Sequence, residues 1–196
     1  MNAIANPPVS FAPPRSVVMI GMPGSGKSSV GRKLAATLAI PFVDADSEIE
    51  AAAGMSIERI FEQFGEAEFR KGERRVIARL LDGPLQVLAT GGGAFMDAET
   101  RALVRAKGVS VWLKTDLALL AERTARRNDR PLLKGDDPPA ILEKLLTQRE
   151  PFYAEADVTV ASDGRPTEET VGRVLTALQE WGSGSGATGA EKERRK

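Results

Sequence analysis

From Ser16 onward two hydrophobic periods alternate along the chain. Residues 17–20, 42–43, 87–89, 109–113 and 158–160 are short, mostly β-branched apolar runs, the pattern of strands buried on both faces. Between them apolar residues recur at spacings of three and four: Val30, Leu34 and Leu38; Leu117, Leu120 and Ala121; Ile141, Leu142, Leu145 and Leu146; Val171, Val174, Leu175 and Leu178. Alternation of this kind predicts an α/β fold of three layers, with a five-stranded parallel sheet covered by helices on both sides. Helix starts are expected at Ser47 with Glu50 three residues on, at Asp97, at Thr115, and at Pro138-Pro139 in a first turn. Residues 126–137 (RRNDRPLLKGDD) fit neither period, and a charged loop of that length inside a compact domain suggests function.

The ends break the pattern. Residues 1–15 hold four prolines and no continuous apolar run, and residues 182–196 form a Gly/Ser linker ending in mixed charge, so both are expected to be disordered around a domain spanning 16–181. No stretch has the length and apolarity of a membrane span or a signal peptide, which makes a cytoplasmic location the expectation. With 27 basic against 27 acidic residues, bulk charge gives no reason to expect nucleic acid. The chain has no cysteine and no histidine. Disulfides, thiolate metal sites and cysteine nucleophiles are thereby excluded, and any general acid or base must be Asp, Glu, Lys or Tyr. A metal would need oxygen ligands, which favours magnesium over zinc.

Chemistry enters at Gly21-Met22-Pro23-Gly24-Ser25-Gly26-Lys27-Ser28, a complete G-x-x-x-x-G-K-[ST] between an apolar strand and a helix. Glycines let the backbone turn its N–H groups toward phosphate oxygens, and the following helix adds its partial positive charge. Lys27 would neutralise the β- and γ-phosphates of ATP, Ser28 would ligate magnesium, and Gly24, Ser25, Gly26 and Ser29 complete the expected nucleotide contacts.

The acceptor side must come from elsewhere. Asp44 and Asp46 close the 42–43 strand and, two apart on a strand, would face one side at its C-terminal end, where ligands sit in open α/β sheets. One would serve the metal and one a substrate hydroxyl; alternatively, both merely end the strand and open the next helix. The strand at 87–89 runs through Thr90 into Gly91-Gly92-Gly93 without the acidic residue that usually closes such a strand, so Asp44 is the available metal carboxylate. Three glycines suit close approach of a ligand to the main chain, or a plain turn. Arg70 and Glu73, three apart on one helix face, are either a solvated surface pair or a guanidinium fork for a substrate carboxylate held by its acid. Phe61 and Phe69 beside them suit core or pocket, and Arg130 and Arg149 are further cationic candidates.

Taken in order, GMPGSGKS, VDAD, FRKGE, TGGG, RPLL, and Arg149 followed by Pro151-Phe152-Tyr153 resemble the shikimate kinase family over about residues 16–180. The resemblance implies a nucleoside-monophosphate-kinase-like P-loop fold of sheet order 2-3-1-4-5 with a mobile lid near 126–137, acting on shikimate with ATP and magnesium. It implies Asp46 as base and holder of two substrate hydroxyls, with Ser28 and Asp44 supporting magnesium. Arg70 and Arg149 would clamp the carboxylate, with Phe61, Phe69 and Glu73 also on the substrate side. The Gly91-Gly92-Gly93 backbone would meet the ring, Arg123 and Arg165 would pack adenine, and Lys27 and Arg130 would act on the transferring group. A monomer is expected. A gluconate-type sugar-acid kinase and a non-catalytic nucleotide-binding module remain alternatives, whereas Asn128-Asp129-Arg130 lacks the N-K-x-D that reads guanine.

Overall fold

The computed structural model describes residues 11–125 and 138–184. Among these, five strands form one parallel sheet of order β2-β3-β1-β4-β5, the order the resemblance implies. The strands are β1 (Ser16–Ile20), β2 (Phe42–Asp44), β3 (Val87–Ala89), β4 (Gly108–Lys114) and β5 (Val158–Ala161). The helices are α1 (Lys27–Leu38), α2 (Ala45–Ala53), α3 (Ile57–Leu81), α4 (Ala98–Lys107), α5 (Leu117–Ala125), α6 (Pro138–Tyr153) and α7 (Thr167–Gly182).

The two-sided burial read from β1 is met residue by residue. Val17 and Met19 join Val30, Leu34, Val174 and Leu178 in the core under α1 and α7. Val18 and Ile20 point the other way, into the core shared with Ile77, Leu88, Leu120 and Leu142 under α3, α5 and α6. Parallel pairing aligns Met19 with Ala89 and Val111, and Ala89 with Asp44, so the C-terminal strand ends form one edge. Every chemical motif of the sequence that falls within the described residues leaves the sheet at that edge or packs beside it.

Four local expectations are corrected. Helix α2 is capped by Asp44, whose side chain accepts from Asp46 N at 3.1 Å, so Ser47 lies inside the helix instead of starting it. Asp46 therefore stands in the first turn of α2 and not two places along a strand. Helix α5 begins at Leu117, one place later than a Thr115 cap implies. The expected N-terminal extension is described from Phe11, whose ring packs on the core beneath α1 and α7, while Arg15 donates to Arg105 O. Asp97 caps α4 as expected, accepting from Thr100 N and Thr100 Oγ1 at 2.9 and 2.8 Å.

Candidate active site

The loop after β1 turns on glycines with positive φ, Gly21 at 138°, Gly24 at 84° and Gly26 at 97°, a conformation other residues rarely adopt. It wraps the first turn of α1. Lys27 is 9% exposed and its ammonium donates to Gly21 O and Met22 O at 2.9 Å each, which holds the charge within the loop. Ser28 Oγ donates to Asp44 Oδ2 at 2.9 Å, so the hydroxyl of the cradle and the carboxylate ending β2 meet, although 16 residues separate them. These are two adjacent oxygen donors facing the phosphate cradle, the ligand chemistry magnesium prefers. Among the described residues no group of three or more Asp, Glu, His or Cys could hold a metal by itself.

A cavity of about 410 Å³ begins at this cradle. Its wall includes Gly24, Gly26, Lys27, Ser28 and Ser29 from the loop and α1, Asp44 and Asp46 from the β2 end, and Gly91 and Gly92 from the β3 end. Arg123 and Arg165 also line it. Arg123 Nη1 donates to Ser162 Oγ at 3.3 Å and lies 3.4 Å from Gly24 O, while Arg165 is more than half exposed and pairs with Asp163 at 3.3 Å.

Beyond Asp46 the glycine triplet explains itself by crowding. A Cβ on Gly91 would stand 2.9 Å from Asp46 Oδ1 and 3.0 Å from Glu73 Oε1. On Gly92 it would stand 2.8 Å from Pro23 Cδ and 3.2 Å from Arg149 Nη1, and on Gly93 2.7 Å from Arg70 Cζ. The triplet is thus the place where the backbone passes between charged side chains of α2, α3 and α6 and the Pro23 ring, and any side chain there would push them apart.

Arg70 Nη1 donates to Glu73 Oε2 at 2.7 Å and Nη2 to Glu66 Oε1 at 3.1 Å, while its guanidinium lies 5.0 Å from the centre of the Phe69 ring. Burial pushes the Glu73 carboxyl above its ordinary range; Arg70 opposes this, and Asp46 and Asp97 add to it. For Arg70 burial works against the charged form, but Glu73 and Glu66 outweigh it and the net shift is upward. Glu73 Oε1 and Arg149 Nη1 are both buried without a hydrogen-bond partner. Two orphaned polar atoms of opposite demand beside one main-chain turn are what a polar ligand would satisfy.

Phe61 and Phe69 stack at 4.6 Å across a break at Gly65, and both belong to the apolar core behind Arg70; neither is part of the cavity wall. Arg130 and the 126–137 loop lie outside the described residues. Thr90, Thr124, Ser162, Thr167 and Thr170 also line the cavity and were not among the sequence candidates. Position at a strand's C-terminal end could have found Thr90 and Ser162. The other three are small residues on helices whose pattern reports only packing.

Comparison with known proteins agrees with this geometry. A shikimate kinase family model matches residues 23–179. The chain is 57% identical to a shikimate kinase of Bradyrhizobium diazoefficiens, covering 84% of this chain and 80% of that one. It is also 57% identical to one of Caulobacter vibrioides, covering 85% and 83%. Among solved structures, shikimate kinase from Acinetobacter baumannii in complex with shikimate superposes with a TM-score of 0.82 at 36% identity, covering 85% and 93%. A family model matching most of the chain and relatives more than half identical over four-fifths of their length settle the affiliation: the chain belongs to the shikimate kinase family.

Proposed function

We propose that the chain transfers the γ-phosphoryl group of ATP to the 3-hydroxyl of shikimate, giving shikimate 3-phosphate and ADP. The observation that carries this reading is one cavity whose wall joins Lys27 and Ser28 to Asp46, Gly91 and Gly92, with Arg70, Glu73 and Arg149 converging on the far side of the same glycines. Donor and acceptor would meet at Asp46.

The cradle amides, the α1 N-terminus and Lys27 hold the β- and γ-phosphates, while Arg123 and Arg165 flank the base. Magnesium would be held by Ser28 and Asp44 together with the nucleotide's own phosphates, and when bound it neutralises charge on the β- and γ-oxygens. Arg149 and Arg70 take the acceptor's carboxylate, Glu73 fixes Arg70, and the Gly91-Gly92-Gly93 main chain meets the ring substituents. Asp46 holds the hydroxyl in line and accepts its proton as the oxygen bonds to phosphorus and ADP leaves. A loose transition state needs positioning and charge more than a strong base, so an ordinary aspartate is sufficient. Arg130 is assigned to the γ-phosphate from the 126–137 loop on the family pattern alone. The balanced charge gives no reason to expect a nucleic-acid partner and the lack of cysteine none to expect an oxidising compartment, in keeping with a cytoplasmic enzyme, which we take to act as a monomer. Among the described residues no helix is long and apolar enough to cross a membrane.

The test is ADP release with magnesium and ATP, measured without acceptor, with shikimate and with gluconate, for the wild type and Asp46→Asn. Shikimate alone stimulates the wild type, and Asp46→Asn lowers turnover by about 10²–10⁴-fold while ATP affinity holds. No stimulation by shikimate overturns the reading.

A further inference from the structure

Tyr153 is the chain's one tyrosine and is wholly buried at the C-terminal end of α6, one helical turn beyond Arg149. Its hydroxyl donates to Gly92 O and lies 4.0 Å from Met22 Sδ, and its ring lies 5.9 Å from that of Trp112. It thereby touches three parts of the site at once: the cradle at Met22, the glycine turn at Gly92, and the helix that presents Arg149. The peptide it binds has little room, since the Gly92 α-carbon is hemmed between Pro23 and the Arg149 guanidinium. The same end of α6 has a second hold on this turn. Arg101 donates to Phe95 O and Met96 O at 2.9 Å each, pairs with Glu155, and lies 4.7 Å over the Phe152 ring.

We propose that Tyr153 is a positioning residue for the acceptor half of the site: its hydroxyl fixes the Gly92 peptide and keeps Arg149 in register with it. The inference rests on the shikimate reading above. Tyr153 is too deeply buried to meet the substrate, so it acts only through Gly92 and Arg149. Burial raises the phenol to about 12, with Arg149 pulling the other way, so the hydroxyl is a proton donor throughout the working range. Without that donor the Gly92 carbonyl loses its hydrogen bond beside Pro23 and the Arg149 guanidinium, and the peptide turns to find another partner.

Tyr153→Phe removes one oxygen and keeps the ring packing. Its expected effect is a rise of about tenfold in KM for shikimate, which corresponds to about 1.4 kcal/mol, with ATP KM unchanged and kcat altered less than the shikimate KM. A tyrosine that only packs the core would instead lower the thermal midpoint and leave both KM values alone. Because there is one tyrosine, growth on 3-fluorotyrosine gives a single fluorine resonance from the otherwise intact enzyme. Shikimate is expected to shift that resonance, and ADP alone is not. An unchanged shikimate KM in Tyr153→Phe overturns the proposal; should that variant not fold, a resonance indifferent to shikimate does so. Absence of shikimate-dependent turnover in the wild type would overturn the functional reading instead, which keeps the two failures apart.

Discussion

Glu73 is 2% exposed, and its ionisation is contested by burial on one side and Arg70 on the other. Its folded-state pKa lies above the ordinary 4.5, so the folded protein holds this proton more tightly than the unfolded chain does. The stability it contributes is therefore fully present below about pH 4.5 and is lost as pH rises through the folded value. Urea unfolding of the wild type and Glu73→Gln from about pH 4 to about pH 7 checks the sign: the wild type loses stability relative to the variant as pH rises through that window. A constant difference means the shift is absent. The pairing of Arg70 with Glu73 was legible from their spacing of three on a helix. That the pair faces Gly91 and Gly93 was not, because nothing local encodes a contact some twenty residues away in sequence. The phosphate cradle stands at the other extreme, since its glycines, lysine and serine are adjacent and their geometry is local.

At the scale of elements, two aspartates cap helices and only one of them also meets the phosphate cradle. Asp97 caps α4 through Thr100, and Asp44 caps α2 through Asp46 N while also accepting from Ser28 Oγ. Asp97→Ala and Asp44→Ala should each cost about 1 kcal/mol in urea unfolding, the usual value of a lost cap. Asp97→Ala is expected to retain turnover. Asp44→Ala should lose at least about tenfold and need more magnesium, because it also removes the carboxylate beside Ser28. Equal magnesium titrations for the two variants would remove Asp44 from the metal's surroundings. The sequence found the Asp97 cap and missed the Asp44 one, since Ser47 with Glu50 forms an equally good local signal. The decision is tertiary: β2 ends at Asp44 because β3, its only neighbour among the described strands, ends its pairing there at Ala89. Gly31 shows the same dependence, for a Cβ there would lie 2.8 Å from the Phe42 ring, and this close approach of α1 to β2 lets Ser28 reach Asp44.

Across the whole molecule, the proposed function divides the sheet's C-terminal edge into two half-sites that meet at Asp46 and the glycine turn. On that proposal the nucleotide half would draw on α1, α5, β5 and α7, and the acceptor half on α3, the β3 end and α6. The alternation of strands and helices made the layered architecture legible, because burial of every β1 residue demands cover on both faces. The strand order was legible only through resemblance to a family, since periodicity says nothing about which strands are neighbours. Division into halves predicts that the two ligands stabilise the fold separately, and Arg149 is the residue with which to separate them. A ligand at about 100 times its Kd adds about 2.7 kcal/mol, roughly 5–10 °C in Tm for a domain of this size. Arg149→Met removes a buried guanidinium whose Nη1 has no partner. Without ligand the variant should melt close to the wild type, because relief of a buried charge whose Nη1 is unpaired offsets the lost contact to Tyr153. With shikimate at the same concentration its shift should fall to about 1–2 °C if affinity drops about a hundredfold, while the shift with ATP stays whole. Melting curves of the two proteins with each ligand decide it: loss of both shifts would mean that the halves fold as one unit, and loss of neither would take Arg149 out of the acceptor site.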